Sequence, residues 1–522
     1  MKRKRYFALA AALSMSLTIF GCGREESKQQ EETHDSSVVA EVVSDGKFTL
    51  NYTPNASLNP YTTTSELNRI ADQLAYETLT VVDNVFLVHP GLFTEWSTED
   101  GMHWTFKVDT TRKFHDGHMM SAADAAYSIQ CAKECDTYAM RLRHVASAEP
   151  GEEEGTVEIT MDAANTQLPV LLNIPVIGNN TLGMNLAPGT GPYQFDSGGK
   201  SLSVFSDHPD AKEMPVDKIE LESFPNMEDI VSAFSSGTLD LVCNDPTGSI
   251  DLGFGTVSEA RQYSTTNLQY IGFNTNSAFF IAPERRAALT RLVDRAYAVA
   301  MLNDSAVAAP LPFHPVSPYY DEQLAASLAF DPEAGKKALE KAHVVDYDGD
   351  EQREFLLGTD ESSAQKFNLT FLVCSDSTQK TAIANKIAGD LQGLGIPVTV
   401  KSLAWQEYLA ALESGNFDLY YGEVRLGADF DLAPLLAPGG ALSFGGITNG
   451  AYSEANTAYL SASDADRAAA AKALLRLVAD NAPIIPVCFE KHEVCAHRGI
   501  VGGFSPTQYN IFDNLPEWVI QI

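Results

Sequence analysis

Two stretches far apart in this chain share one outline, and that outline limits the fold more than any other feature. Ile219-Glu-Leu-Glu-Ser reads as a short strand. A helix over 227–235 follows, with Ile230, Val231 and Phe234 on one face, and then Ser236-Gly237 and a second strand from Asp240. Val398-Thr-Val opens the second copy. Trp405, Tyr408, Leu409 and Leu412 stand at helical spacing, and Ser414-Gly415 leads to a strand from Asp418. In each copy a glycine follows the last helical turn, where a left-handed residue is needed, and an alternating strand follows at once. Strand–helix–strand units cross over between parallel strands, so both copies belong to parallel or mixed α/β sheets. Two such sheets in one chain predict two lobes. A ligand then lies between them, at the carboxyl ends of the strands.

The rest of the second lobe follows the same grammar. Pro283 opens a helix in which Leu289, Leu292, Val293, Ala296 and Ala300 share a face. The segment 368–373 alternates as a strand. Ile383, Ile387, Leu391 and Leu394 form a helical stripe that Gly395 stops. From Val81 to about Leu182 the chain reads as an insertion: Trp104-Thr-Phe-Lys-Val and Thr156-Val-Glu-Ile-Thr are strand-like, and Ser121 caps a helix through Ile129.

The N-terminus sets the compartment. Lys2-Arg3-Lys4-Arg5 precedes an apolar run from Tyr6 to Phe20 that is too short to span a bilayer as a permanent helix. Ile19-Phe-Gly-Cys22 ends that run and resembles a bacterial lipoprotein cleavage site, which makes Cys22 the lipidated first residue. Residues 23–37 are polar and cannot bury a core, so they read as a tether. The expectation is a body outside the cytoplasmic membrane, held on its outer face by lipid. Removing residues 1–21 leaves 501, enough for two or three domains, and deepens the net charge from −33 to −37 by taking away four cations. So acidic a body excludes nucleic acid and anionic lipid as electrostatic partners.

Seven cysteines are too few for a disulfide scaffold. Ile485-Pro-Val-Cys488-Phe-Glu-Lys-His-Glu-Val-Cys495 reads as a hairpin turning at Lys491-His492. That turn sets Cys488 opposite Cys495 and makes them the one candidate bridge.

Several stretches together make the chain recognisable. They are Leu58-Asn-Pro-Tyr61, Leu74-Ala-Tyr-Glu-Thr-Leu79, Pro90-Gly-Leu-Phe-Thr-Glu-Trp96, Trp104-Thr-Phe, Phe114-His-Asp-Gly117 and Ala123-Asp-Ala-Ala-Tyr127-Ser. Further on come Gly189-Thr-Gly-Pro-Tyr193, Gly272-Phe-Asn-Thr, Arg286-Ala-Ala-Leu with Asp294-Arg295, and Pro483-Ile-Ile-Pro-Val. In this order, from residue 48 to the end, they resemble the extracytoplasmic solute-binding proteins of oligopeptide, dipeptide and nickel ABC transporters. The resemblance implies a bilobal α/β fold of the periplasmic-binding-protein kind, with a hinge and an extra subdomain. The implied division is a signal peptide over 1–21, a tether over 22–45, a discontinuous first lobe (46–80, 183–268 and 482–522), an inserted subdomain over 81–182, and a second lobe over 269–481. It also implies a monomer without cofactor or catalysis, which binds short peptides and passes them to a membrane permease.

The resemblance also suggests site residues. In peptide-binding members an acidic residue soon after the Phe-Asp-Leu strand pairs with the ligand's ammonium. Here Ala428-Asp429-Phe430 follows the strand 417–421, so Asp429 is the implied anchor and Asp431 the cap of a helix starting near Leu432. Trp405 corresponds to an aromatic lining the side-chain pocket, or else anchors its own helix in the core. Arg425 meets a ligand carboxylate, or stands in solvent, or pairs with Glu423. Tyr61, Thr62 and Thr63 lie in the loop whose backbone pairs with an extended ligand.

Other constellations fail on spacing. His492-Glu-Val-Cys-Ala-His497 has one residue too many for a zinc-protease helix. Asp346-Tyr-Asp348-Gly-Asp350 begins like a calcium loop, but Glu351 replaces the required glycine and Leu357 the closing glutamate. Peptide capture is the leading reading. Its rivals are a nickel chelate, haem or another small solute on the same fold, then a surface adhesin or receptor, then a secreted hydrolase for which no motif speaks.

Overall fold

The computed structural model describes residues 44–247, 258–358 and 360–522. Cys22, the signal peptide and nearly all of the tether fall outside the described residues.

Fifteen strands build the frame. They are β1 (Thr49–Asn51), β2 (Phe93–Thr98), β3 (His103–Val108), β4 (Val145–Pro150), β5 (Thr156–Met161), β6 (Tyr193–Phe195), β7 (Ser201–Val204) and β8 (Lys218–Glu222). After them come β9 (Leu241–Asn244), β10 (Ser258–Phe273), β11 (Ala306–Ala308), β12 (Leu369–Cys374), β13 (Val398–Leu403), β14 (Leu419–Arg425) and β15 (Ile484–His497). The helices that bear on the site are α1 (Glu66–Ala75), α2 (Ala122–Glu134), α3 (Met227–Ser236), α4 (Pro283–Leu289), α5 (Arg295–Met301), α6 (Thr378–Gly393), α7 (Trp405–Glu413) and the one-turn α8 (Ala433–Leu436).

Both predicted crossover units form, and they form alike. β1 lies between β8 and β9, parallel to each, with α3 as the crossover. β12 lies between β13 and β14, parallel to each, with α7 as the crossover. Gly237 and Gly415 follow the two helices at φ +77° and +69°, a conformation that costs a residue with a Cβ about 1–2 kcal/mol. The local signals were sufficient here because a cap, a period and a turn residue all agree.

The expectation of two separate sheets needs correction. β10 and β15 run antiparallel between the two units, so the strands form a single eleven-stranded sheet in the order β13-β12-β14-β10-β15-β9-β1-β8-β7-β6, with β11 also on β15. With 16 and 14 residues, these two strands each reach across about 45–50 Å. β10 pairs with β14 over Asn267–Phe273, while β15 pairs with β9 over Val494–Ala496 and its neighbour Glu493. The ladder between the two slips from Ser264/Lys491 to Leu268/Phe489, a bulge at which Thr265 Oγ1 donates to the Glu490 carbonyl at 2.7 Å. The two α/β halves are therefore joined by two continuous strands with an irregularity at their middle.

The hairpin reading of β15 is wrong for the same reason. Lys491 and His492 sit mid-strand, opposite Ser264 and Tyr263. Cys488 and Cys495 are seven residues apart along one strand, about 23 Å, and the six described cysteines are free thiols. The polar run misled because it is the half-buried stretch where the strand passes from one half to the other. Titration of the denatured, unreduced protein should return six thiols from these positions, and a reductant should leave the melting temperature unchanged. Four thiols would reinstate a bridge.

The single helix predicted from Pro283 is two helices, α4 and α5. They break at Val293 because Asp294 turns outward and caps α5 by accepting from Tyr297 N at 3.0 Å. In the inserted segment β2-β3-β5-β4 form a separate antiparallel sheet. α2 starts at Ser121 with a Ser121/Asp124 capping box, and it runs to Glu134, one turn past the predicted end.

One buried carboxyl in the frame makes stability pH-dependent. Asp240, just before β9, is buried and accepts from Thr49 N at 2.7 Å through Oδ2, while Oδ1 has no partner. Burial outweighs that hydrogen bond and lifts its pKa from 3.8 to about 7. A carboxyl raised by folding favours the fold while protonated, so its contribution is complete below pH 4 and is lost as pH climbs through 7. The wild-type melting temperature should therefore fall by a few degrees more between pH 5 and pH 8 than that of Asp240→Asn. Parallel profiles would refute this.

Candidate ligand-binding site

The carboxyl ends of the parallel strands bring charged side chains from both halves together. In the second half, β12 runs into α6, whose Ser377 cap accepts from Lys380 N, and β14 ends with Glu423 and Arg425 on its outward face. A cation in the first turn of a helix is disfavoured by the macrodipole. Lys380 is held there by contact with the Glu423 carboxylate, and it stands 3.9 Å from Glu490 on β15. Burial opposes the ammonium, but Glu423 and Glu490 outweigh it and keep its pKa above the usual value. In the first half, β9 ends beside Asp245, which faces His492 Nε2 at 3.5 Å.

Glu490 is the centre of this group and is 1% exposed. Gln269 Nε2 donates to it at 2.6 Å and Asn267 Nδ2 at 3.3 Å, both from β10, and Tyr421 OH fixes Gln269 at 2.6 Å. Burial and the neighbouring Glu423 push its pKa up. His492 Nε2 lies 4.0 Å from Glu490, is buried and makes no hydrogen bond, and burial holds its pKa down. Asp245, Glu490 and His492 thus converge donor atoms within 4.8 Å, the spacing of a divalent-cation site. The Lys380 ammonium already provides positive charge to the same carboxylates. Asp346, Asp348 and Glu354 form a second trio in the failed calcium loop, and there Lys366 bonds Asp348 at 2.8 Å and Asp350 at 2.5 Å.

The residues expected from sequence fall in three places. Arg425 belongs to β14, opposite Asn267 at the bulge, and is exposed. Glu423 is taken by Lys380, so the suggested Arg425–Glu423 pair does not form. Asp429 is 3% exposed in the turn after β14, where Phe430 N donates back to Gly427 O. Asn165 Nδ2 from the inserted segment donates to its Oδ2 at 3.0 Å, and burial with the nearby Asp431 drives its pKa upward. Asp431, which the sequence suggested as the cap, stands one residue before the cap position, Leu432: its Oδ1 accepts from Ala433 N at 2.8 Å, and its Oδ2 meets Arg143.

Trp405 is the first residue of α7 and 55% exposed, so Tyr408 and Leu412 anchor that helix instead. Tyr61 is buried, and its hydroxyl bonds the Pro175 carbonyl. Thr62 and Thr63 turn their N–H groups onto the Asn59 carbonyl at 3.0 Å, so those two donors are closed to a ligand strand. Of the loop's three residues only Thr62 is exposed.

Sequence reasoning missed Lys380, Asp245 and Glu490, and took His492 only for a turn residue and part of a failed zinc motif. The readable signal was in β14, a buried strand in which two polar residues, Glu423 and Arg425, occupy alternate positions at its carboxyl end.

The family model described as "Bacterial extracellular solute-binding proteins, family 5 Middle" matches residues 88–436. Over 444 residues, 80% of each chain, the sequence is 20% identical to oligopeptide-binding protein AppA of Bacillus subtilis. Two crystal structures, each 18% identical, share the fold. The ABC transporter substrate-binding protein CtaP of Listeria monocytogenes aligns with a TM-score of 0.72, over 91% of this chain and 99% of that one. NikA of Brucella suis, in complex with Fe(III)-EDTA, aligns with a TM-score of 0.70, over 91% and 100%.

Proposed function

Because the chain belongs to the bacterial extracellular solute-binding proteins of family 5, we propose that it captures peptides between its two lobes and delivers them, unaltered, to an ABC import permease. Residues 46–80, 183–268 and 482–522 form the first lobe in this reading, 269–481 the second, and 81–182 the inserted subdomain. A lipid on Cys22 holds the monomeric body at the outer face of the cell membrane.

Asp429 carries the reading. A carboxylate out of water is costly unless a cation or several donors answer it. Asp429 has one side-chain donor, from Asn165, and one long backbone donor, Asp431 N at 3.4 Å. Arg143, the nearby cation, is engaged by Asp431. A peptide ammonium supplies what is missing, on a loop that follows the carboxyl end of β14. Trp405, exposed at the carboxyl edge of β13, supplies an aromatic wall, and Thr62 with its loop borders the ligand.

Small-angle scattering tests capture directly. A pool of short peptides should reduce the radius of gyration as the lobes close. An unchanged profile would count against capture by closure. For the anchor, a fatty-acid analogue fed to cells should label the wild type and not Cys22→Ala.

A metal chelate or haem is the second reading, favoured by the convergence of Asp245, Glu490 and His492. Metal content and visible absorbance of the protein as purified distinguish it.

A further inference from the structure

One carboxylate of the second half is buried with a bare oxygen. Glu354 is 2% exposed; its Oε2 accepts from Tyr347 N at 2.8 Å, while its Oε1 is buried and has no hydrogen-bond partner among the described residues. A carboxylate oxygen out of water is costly unless a cation answers it. Lys366 Nζ stands 3.8 Å away, beyond hydrogen-bond reach, on a side chain that is 58% exposed.

The bare oxygen belongs to a closed loop. Val344 and Val345 pair antiparallel with Phe355 and Glu354, which ties the ends of 346–353 together. Arg353 fastens this loop to the end of α6, donating from N to the Gly395 carbonyl and from Nε to the Leu394 carbonyl, each at 2.7 Å. Asp346 and Asp348 each bring a carboxylate oxygen within 4.8 Å of the Glu354 carboxylate and of one another. Lys366 adds Asp350 to the group, bonding it at 2.5 Å and Asp348 at 2.8 Å. Four carboxylates and one ammonium gather here, a local charge of −3.

Both departures from an EF-hand loop are made good in the fold. Glu351 stands where the glycine is required, yet it takes φ +70°, the left-handed conformation that glycine supplies, and Gly349 takes +82°. Their N–H groups donate to the Asp346 carboxylate, Glu351 to Oδ2 at 3.0 Å and Gly349 to Oδ1 at 2.6 Å. Leu357 is 60% exposed at the twelfth position, and Glu354 at the ninth brings the closing carboxylate from the buried side.

We propose that Asp346, Asp348, Asp350 and Glu354 form a calcium site, whose carboxylates Lys366 holds together until the ion replaces it. The donors are all oxygen, which suits calcium and not zinc, and an uneven ring completed by water suits calcium better than magnesium. Lys380 lies about 20 Å away along α6, so this site is separate from the trio of Asp245, Glu490 and His492 and independent of what the cleft captures.

Calorimetric titration of calcium chloride into protein freed of metal by a chelator, with thermal melts of the same samples, tests the site. Calcium should bind with a Kd of about 10⁻⁴–10⁻³ M, the range of extracellular modules. At about 10 mM it should raise the melting temperature by about 2–6 °C, and magnesium should raise it less than half as far. Asp348→Asn, at an exposed position, should weaken calcium at least about tenfold and abolish the rise. Lys366→Gln should tighten calcium at least about fivefold, because the competing charge is gone. A merely structural acidic turn gives the opposite: Lys366→Gln melts lower and calcium changes nothing. No response in the wild type, a response that survives Asp348→Asn, or affinity that Lys366→Gln leaves unchanged or weakens overturns the site.

Discussion

Phe430→Ala is expected to cost the folded protein about 3–5 kcal/mol, the range for deleting a fully buried aromatic ring. Phe430 is 1% exposed, stacks on Phe313 at 5.1 Å, and meets Phe86 edge-on at 5.5 Å and Phe489 at 6.4 Å. These partners come from the inserted segment, the second half and the crossing strand β15, so one ring fastens three parts of the chain. Its backbone is also left-handed, at φ +52°, which costs a side-chain-bearing residue of order 1 kcal/mol and which alanine would not relieve. The packing is what holds the turn in place. Denaturant unfolding checks the value, and a loss below about 1 kcal/mol would mean that the turn is held by something else.

Asp429→Asn is expected to weaken peptide binding by about 30- to 4,000-fold, because removing one member of a buried charge pair costs about 2–5 kcal/mol. The same substitution should leave stability at neutral pH unchanged or slightly improved. Asparagine keeps an oxygen for Asn165 Nδ2 and removes a carboxylate that burial and Asp431 disfavour. Opposite effects on binding and stability separate a ligand anchor from a structural residue, for which both would fall together. Calorimetric titration and thermal melting on the same samples read the two. Unchanged affinity would remove Asp429 from the site.

What the sequence disclosed was local. The crossover units, the Ser121 cap and the glycine stops depend on residues within a few positions of one another, and all stand in the structure. What it concealed was made by distance along the chain. Glu490 draws its partners from residues 267, 269, 380 and 423, a juxtaposition created only when β10 and β15 join the two halves. β15 itself was misread because its polar middle imitates a turn, whereas in the sheet Glu490 receives Gln269 and Asn267, and Lys491 N donates to the Ser305 carbonyl at 2.8 Å. Asp429 was singled out in sequence as the proposed anchor through the family resemblance, and its burial against Asn165 could not be foreseen from neighbours in the chain.

In the proposed capture the guest's ammonium is held by Asp429 and the guest leaves intact. Mass spectrometry of whatever remains bound through purification tests this most directly. A heterogeneous set of short, unmodified peptides is the expected result. A single metal chelate or haem, or fragments that accumulate with time from longer peptides, would contradict it.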